Sequence, residues 1–483
     1  MRHVLVMSLV LSAGGLQAFV PHAGPYPAYP TYNGICDSLE ILSMLYPSIC
    51  SYVSTGTTYG GREIMALVIS NDVTNEGIEP EILLTGCVHG DEKASAMTVL
   101  QYAEWLAEHY ASDPNAQYIV NTAEVWVIPV LNPDGYFNNT MSNGRGVDVN
   151  KNFATFWSSG GSGSAAFSEN ESQAVRDLTF PNWPSATGAH NPFVAGLSLH
   201  AGDSYFEHVW SGSSATVQDI DLILDTADEY DLLNLDPNMT VSSGWNVYPV
   251  YGEMSDWYYD VVGTIDSHVG VCPSDQPVDW QTVANNHTNA LLNFCRDATY
   301  GIWGTVENAY GTPLDGIIYI ARHDGATTEM LNYSRCDMEA WADYHKMLLP
   351  GTYDVTAVVS GYTIQSVYGI AVGANQRVEV SFTMYPLGIE SSESGSTGLA
   401  LTVSPNPFTG TTSFGFGIAD GTGTVEVFDL TGRRVFSCPV GSGSSDLSWD
   451  ATSPDGAPLS SGVYFARLTS GSDSVSRTLV LRR

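Results

Sequence analysis

Two strand-like runs that end in metal-binding side chains constrain this chain more than anything else in it. Residues 81–88 are apolar and strand-like, and His89-Gly90-Asp91-Glu92 follows at once; residues 194–199 form a second such run, closed by His200. Two imidazoles and one carboxylate, spaced His-x-x-Glu with a distant His, can build a catalytic zinc site with one coordination position left open. One turn presents residues three apart to a single ion. Open α/β sheets bind ligands beyond the carboxyl ends of their strands, so the three side chains can converge there. Taken alone, a His-x-x-Glu match is weak, because a satisfied surface or core histidine reads the same way.

From about residue 29 to 299, short apolar runs alternate with longer helical patterns, which argues for an α/β sheet. Residues 81–88, 123–131 and 194–199 read as buried strands. Residues 94–110 carry Met97, Leu100, Trp105 and Leu106 at the spacing of an amphipathic helix, and 286–295 reads as a closing helix. The character changes at residue 301. Short alternating runs at 317–320, 351–359 and 377–382, with a Pro350-Gly351 turn signal, indicate a small β-sandwich up to Met384. Residues 387–399 form a polar linker, and a last β-domain follows with strands at 424–428 and 462–468.

At 483 residues the chain exceeds one ordinary core. Its net charge of −35, from 52 acidic and 17 basic residues, repels polyanions, so neither nucleic acid nor an anionic membrane is an expected partner. Residues 1–18 fit a signal peptide: a Met1-Arg2-His3 start, an apolar run from Val4 to Leu11, and small residues up to Ala18. That run is too short to span a bilayer, and no later segment qualifies as transmembrane. Seven cysteines suit an oxidising compartment but are too few for a disulfide scaffold. Nearness in sequence pairs Cys36 with Cys50 and Cys272 with Cys295. Cys87 reads as a buried strand residue rather than a ligand.

Six ordered motifs then carry a resemblance. They are Gly61-Arg62-Glu63-Ile64, Gly86-Cys87-Val88-His89-Gly90-Asp91-Glu92, Asn132-Pro133-Asp134-Gly135-Tyr136, Gly146-Val147-Asp148-Val149-Asn150-Lys151-Asn152-Phe153, Ser198-Leu199-His200, and Tyr248 through Asp256-Trp257. Residues 29–298 resemble the zinc metallocarboxypeptidases, more closely their regulatory N/E-type branch. The resemblance implies an α/β fold with a mixed twisted sheet flanked by helices, followed by two small all-β sandwich domains. It implies one Zn2+ ion held by His89, Glu92 and His200, with Asp148 orienting His89 from behind. Asn150 and Lys151 would grip the substrate's C-terminal carboxylate, and Tyr248 would close over it. Peptide or protein C-termini are the implied partners.

The departures from that pattern are as informative. The family's general-base glutamate lies fourteen residues after the aspartate of the Asp-Trp pair, which from Asp256 lands on Gly270. Losing such a base typically costs about 10²–10⁴-fold in rate. Asp266 is a candidate replacement but sits roughly 13 Å early along a strand. Glu253 and His268 are other strays near the site, although strand parity does not bring His268 nearer the metal. Ser255 is expected near the pocket for the terminal side chain. Lys151 stands where the family has arginine and loses the planar two-toothed grip. Arg145 is the candidate for polarising the scissile carbonyl.

Residues 300–386 resemble the transthyretin-like sandwich of regulatory carboxypeptidases, through Gly304-Thr305-Val306, Pro313-Leu314, Leu349-Pro350-Gly351-Thr352-Tyr353 and Gly361-Tyr362. Residues 400–483 resemble the C-terminal sorting domain of type IX secretion substrates, through Ser404-Pro405-Asn406-Pro407-Phe408, Val425 to Arg433, Trp449-Asp450, Asp455-Gly456 and Ser461 to Phe465. The domain plan is therefore a signal peptide at 1–18, a carboxypeptidase-like domain at 19–299, a transthyretin-like domain at 300–386, a linker at 387–399 and a sorting domain at 400–483. The expected protein is a secreted or surface-attached metallocarboxypeptidase homologue of a Gram-negative bacterium, engaging the type IX machinery. Two functions stay open: hydrolysis of C-terminal residues by zinc-bound water, or peptide binding by a pseudopeptidase that lacks its base.

Overall fold

The computed structural model describes residues 28–481 apart from 75–76, 181–192, 216, 218, 322–332, 337–341, 387–398, 407, 430–432, 454–455, 461 and 472. The expected signal peptide and nearly all of the expected linker lie outside the described residues. The chain divides into two units: residues up to 305 with 332–352 and 370–381, and residues 306–331 with 353–369 and 382–483.

The first unit is built on a mixed sheet of β1 (Cys50–Thr57), β2 (Glu63–Ile69), β3 (Glu81–Gly86), β4 (Glu124–Ile128), β5 (Ala195–His200), β6 (Asp203–His208), β7 (Thr240–Ser243) and β8 (Ile265–Cys272). Across the sheet the order is β1-β2-β4-β3-β5-β8-β6-β7. β4, β3, β5 and β8 form a parallel block, with antiparallel β2 and β6 on its two sides. Parallel strands are covered on both faces and so read as continuous apolar runs. Every residue of β5 and β8 is buried. Ile82, Leu84, Leu197, Leu199 and Val269 are wholly buried, each contributing about 1.5–3 kcal/mol. From β3 the chain moves to β4 on one side and later returns to β5 on the other. Strand order thus reverses between β3 and β5, the position where such sheets open a crevice.

Helices α1 (Tyr32–Leu45), α2 (Lys93–His109), α3 (Pro114–Thr122), α4 (Pro133–Asn138), α5 (Asn170–Thr179), α6 (Ile220–Leu233), α7 (Gly244–Val247), α8 (Met254–Trp257) and α9 (Trp280–Asp297) belong to the same unit. No helix among the described residues is long and apolar enough to cross a membrane. Residues 94–110 do form a helix, α2, but it is not simply amphipathic. Ala94 to Ala103 is buried without a break, because α2 lies between the sheet and α9 and its small residues allow close approach. Trp105 stays half-buried and stacks on His109 at 4.4 Å. The closing helix starts earlier than expected, since its first turns are polar. His287 ties it down, its Nε2 donating to the Val271 carbonyl at 2.9 Å and its Nδ1 hydrogen-bonded to the Tyr230 hydroxyl at 3.0 Å.

Several sequence motifs prove to be scaffolding. Asp134 accepts hydrogen bonds from the Thr58 hydroxyl (3.0 Å), the Gly60 N–H (2.7 Å) and Arg62 (2.6 Å), which joins the Gly-Arg-Glu motif to α4. Asn132 caps α4, accepting from the Gly135 N–H at 2.8 Å. Cys87 is buried but is not a strand residue: it follows β3 with φ +50° and redirects the chain toward His89. The cysteine pairs expected from sequence are free thiols. Cys272 donates to the Ser274 carbonyl at 3.0 Å, while Cys36 lies against Tyr32 and Tyr52, and Cys295 against Tyr102.

The described residues between 301 and 384 are strand, turn and loop. Ala342–Met347 runs antiparallel to Gly301–Asn308, and Gly316–Ala321 antiparallel to Gly351–Val358. The run expected at 377–382 is two strands, Arg377–Glu379 and Phe382–Met384, each parallel to Gly301–Asn308. The last strands are Leu399–Ser404, Thr412–Asp429, Arg434–Trp449, Gly462–Ser470 and Asp473–Leu481, paired antiparallel around Leu401, Phe414, Val427, Trp449 and Leu468. Leu399, placed in the linker by sequence, opens the first of them.

Gly90 sits where a Cβ would lie 2.0 Å from the Gly135 backbone. Gly90→Ala is expected to force α4 away from the His89 turn and cost at least about 1–3 kcal/mol, read as a fall in thermal midpoint or in soluble yield.

Candidate functional site

The register of β3 and β5 brings the expected ligands together. Gly86 pairs with Leu199, so the turn after β3 and the last residue of β5 share one sheet edge. His89 and Glu92 lie in that turn, closed by Glu92 N–H donating to the His89 carbonyl at 3.2 Å. The ligand atoms of His89, Glu92 and His200 all lie within 4.8 Å of one another. Glu92 spans both imidazoles: Oε1 is 2.6 Å from His89 Nδ1, and Oε2 is 2.9 Å from His200 Nδ1. That second contact has ion-pair distance but not hydrogen-bond geometry, since the buried His200 Nδ1 has no hydrogen-bond partner among the described residues. An orphaned ring nitrogen facing a carboxylate, with a second imidazole beside it, fits a metal ion.

The far sides of both rings are held. Asp148 Oδ1 lies 3.2 Å from His89 Nε2, and the Ser198 hydroxyl 3.1 Å from His200 Nε2. Such partners fix tautomer and orientation. Asp148 also caps the turn at Val149–Lys151 by accepting the Asn150 N–H at 3.1 Å. Burial opposes a charge on His89, but Asp148 and Glu92 outweigh it and lift its pKa to about 10. Burial likewise opposes the Asp148 charge, which His89 and Lys151 hold at about 2. His200 is driven down to about 4 by burial and by neighbouring His268.

The residues expected on the substrate side are occupied by the protein itself. Asn150 donates from Nδ2 to Glu253 Oε1 at 3.2 Å. Lys151 Nζ is paired with Asp148 Oδ2 at 2.9 Å. Arg145 is taken up elsewhere, 3.5 Å from the Ser168 carbonyl and 3.7 Å from Glu169, with its guanidinium near the Tyr59 ring. Tyr248 is two-thirds exposed. The structure thus brings Asn150, Lys151 and Asp148 to the trio's neighbourhood and turns Arg145 toward Glu169.

Gly270 pairs with His200 across β5 and β8, so the expected base position does adjoin an expected ligand. It offers no group and no room: a Cβ there would lie 2.6 Å from the Asp203 carbonyl oxygen of β6. Asp266 does not replace it. It pairs with Gly196, four residues back along the strand, and its carboxylate accepts from the Ser255 hydroxyl at 2.5 Å. Burial pushes its pKa up to about 7. The expectation for His268 needs correcting. Its ring stacks on His200 with centroids 3.6 Å apart, because β5 and β8 are direct neighbours and the rings reach across the diagonal. His268 Nδ1 lies 3.1 Å from Glu253 Oε1. Glu207, which motif reading passed over, faces His268 in the β6–β8 register. Its signal was the alternation of β6, which puts Tyr205 and Glu207 on one face.

Comparison with known proteins gives the family and the fold. Residues 35–276, half of the chain, match the zinc carboxypeptidase family, and the chain belongs to it. Residues 402–482 match the secretion system C-terminal sorting domain of type IX substrates. Relatives of the N/E-type regulatory branch include carboxypeptidase SOL1 of Arabidopsis thaliana, 25% identical over 350 residues that cover 68% of this chain and 67% of that one. Mouse carboxypeptidase M is 22% identical, covering 69% of this chain and 79% of its own. The crystal structure of thrombin activatable fibrinolysis inhibitor superposes with a TM-score of 0.50 at 18% identity, over 56% of this chain and 74% of that one, which shows the shared fold.

Gly270→Ala is expected to lower stability by about 1–3 kcal/mol through overpacking, and Gly270→Glu to lower the melting temperature without creating peptidase activity. For Asp266, a folded pKa of about 7 against an ordinary 3.8 means that stability is fullest below 3.8 and is lost as pH rises toward 7. Asp266→Asn removes that slope, so melts of the two proteins should agree near pH 4 and diverge, variant higher, by pH 8.

Proposed function

We propose that this chain is an exported, zinc-binding member of the carboxypeptidase family that binds peptide ends and has lost the hydrolytic step. His89, Glu92 and His200 hold one zinc ion, oriented by Asp148 and Ser198. A zinc ion so held acts as a Lewis acid toward an oxygen ligand in the remaining coordination position. The observation that carries the reading is Gly270: the group that should move the proton is missing, and β6 backbone occupies the space beside it. The internal engagement of Asn150 by Glu253 and of Lys151 by Asp148 supports it. A peptide carboxylate must compete with those contacts, and Tyr248 is free to fold over it.

In this reading residues 1–18 are the signal peptide, 19–299 the zinc-binding domain, 300–386 a transthyretin-like module and 387–399 a linker. The sorting domain hands the protein to the type IX machinery, for release or attachment at the surface of a Gram-negative bacterium. A second reading, slow hydrolysis with His268 as base, is favoured by its stacking on His200.

The test uses zinc-loaded full chain and peptides with free or amidated C-termini, following release of the terminal residue by mass spectrometry and binding by fluorescence anisotropy. The expected result is no release, with binding to the free peptide lost on chelation or in His89→Ala. Asp148→Asn should weaken zinc binding about 10–100-fold. Zinc-dependent release of a C-terminal residue would sink the proposal, and its loss in His268→Ala would establish the second reading.

A further inference from the structure

We propose that Glu207, Glu253 and His268 form a second divalent-cation site, separate from His89, Glu92 and His200 and joined to them by the His200–His268 stack. Three elements build it. Glu207 comes from β6, Glu253 from the residue that precedes α8, and His268 from the middle of β8. Their ligand atoms lie within 4.8 Å of one another, and all three residues are more than nine-tenths buried.

Two carboxylates this close and this deep need a positive charge between them. No lysine or arginine among the described residues is ion-paired with either glutamate; His268 on Glu253 is the one pair recorded there. Hydrogen bonds cover only part of the need. Ser211 donates to Glu207 Oε1 at 2.9 Å, and Asn150 shares Glu253 Oε1 with His268. Among the described residues, the buried Glu253 Oε2, His268 Nε2 and Asn150 Oδ1 have no hydrogen-bond partner. Nearby Asp256 adds a third buried carboxylate, which accepts from the N–H groups of Ser211 (2.9 Å) and Gly212 (2.8 Å).

A proton is the competing solution. Burial and the Glu253 charge raise the Glu207 pKa to about 7, so Glu207 can neutralise itself near neutrality. That proton leaves Glu253 Oε2 and His268 Nε2 unpaired, whereas a metal ion serves all three side chains at once. Two carboxylates with an imidazole suit zinc or a similar transition ion better than calcium or magnesium, which prefer oxygen alone. Bonds of about 2.0–2.2 Å to a tetrahedral ion set its donor atoms roughly 3.4 Å apart, inside the 4.8 Å that bounds the separations in both trios.

Full chain stripped by a chelator is titrated with zinc by calorimetry. Wild type is expected to bind two equivalents, Glu253→Gln and Glu207→Gln one each, His89→Ala one, and His89→Ala/Glu253→Gln none. Misfolding is separated by melting the metal-free proteins, where Glu207→Gln should match or exceed wild type because a like-charge contact is gone. One equivalent in wild type, abolished by His89→Ala, overturns the proposal. So do glutamine variants that keep the wild-type stoichiometry. Free lysine or arginine stabilising metal-free wild type, but not Glu253→Gln, also overturns it, assigning the cluster to an organic cation.

Discussion

The pairing of β3 with β5 is the constraint on which the rest depends. Because Gly86 faces Leu199, the turn that follows one strand and the end of the other open at the same edge. Shifting that register would separate His89 and Glu92 from His200 whatever their chemistry. The register is well held. Both strands are buried on both faces, so a one-residue slip would turn every side chain to the opposite layer. Gly90 against Gly135 and Asn132 against the Met141 and Val88 carbonyls then lock the turn itself.

Much of what looks like catalytic signature in this chain is in fact support for that edge. Arg62, Thr58 and Gly60 converge on Asp134, far in sequence but adjacent in space. Asp148 does two jobs at once, capping a turn and steadying His89, so its carboxylate couples the position of Asn150 to the position of a ligand. Lys151 completes that arrangement rather than standing free.

Beside this well-ordered trio lies a region with the opposite electrostatic character. Glu207, Glu253, Asp256 and Asp266 crowd one buried neighbourhood, and His268 is the cationic candidate among them. Carboxylates rarely accumulate in a core without a counter-charge, because each buried charge costs several kcal/mol. The first trio suits a family that depends on zinc. That leaves the acidic cluster to be explained by this chain's own residues, and a bound cation is the simplest account.

The sequence by itself determined the α/β class, the strand ends that carry His89, Glu92 and His200, the glycine at 270, and the sorting domain. Each of these is a local pattern: a residue type at a fixed distance from an apolar run. Helix α9 was legible only in its second half, because its polar first turns hide the periodicity, and the cysteine pairs inferred from nearness failed because contact is not set by nearness along the chain. Only the tertiary structure decided that Glu207 faces His268, that Glu253 takes the Asn150 amide, that Arg145 leaves for Glu169, and that a Cβ at Gly270 would strike β6. Those facts depend on how segments tens of residues apart align across the sheet, and single-residue spacing carries no record of that alignment.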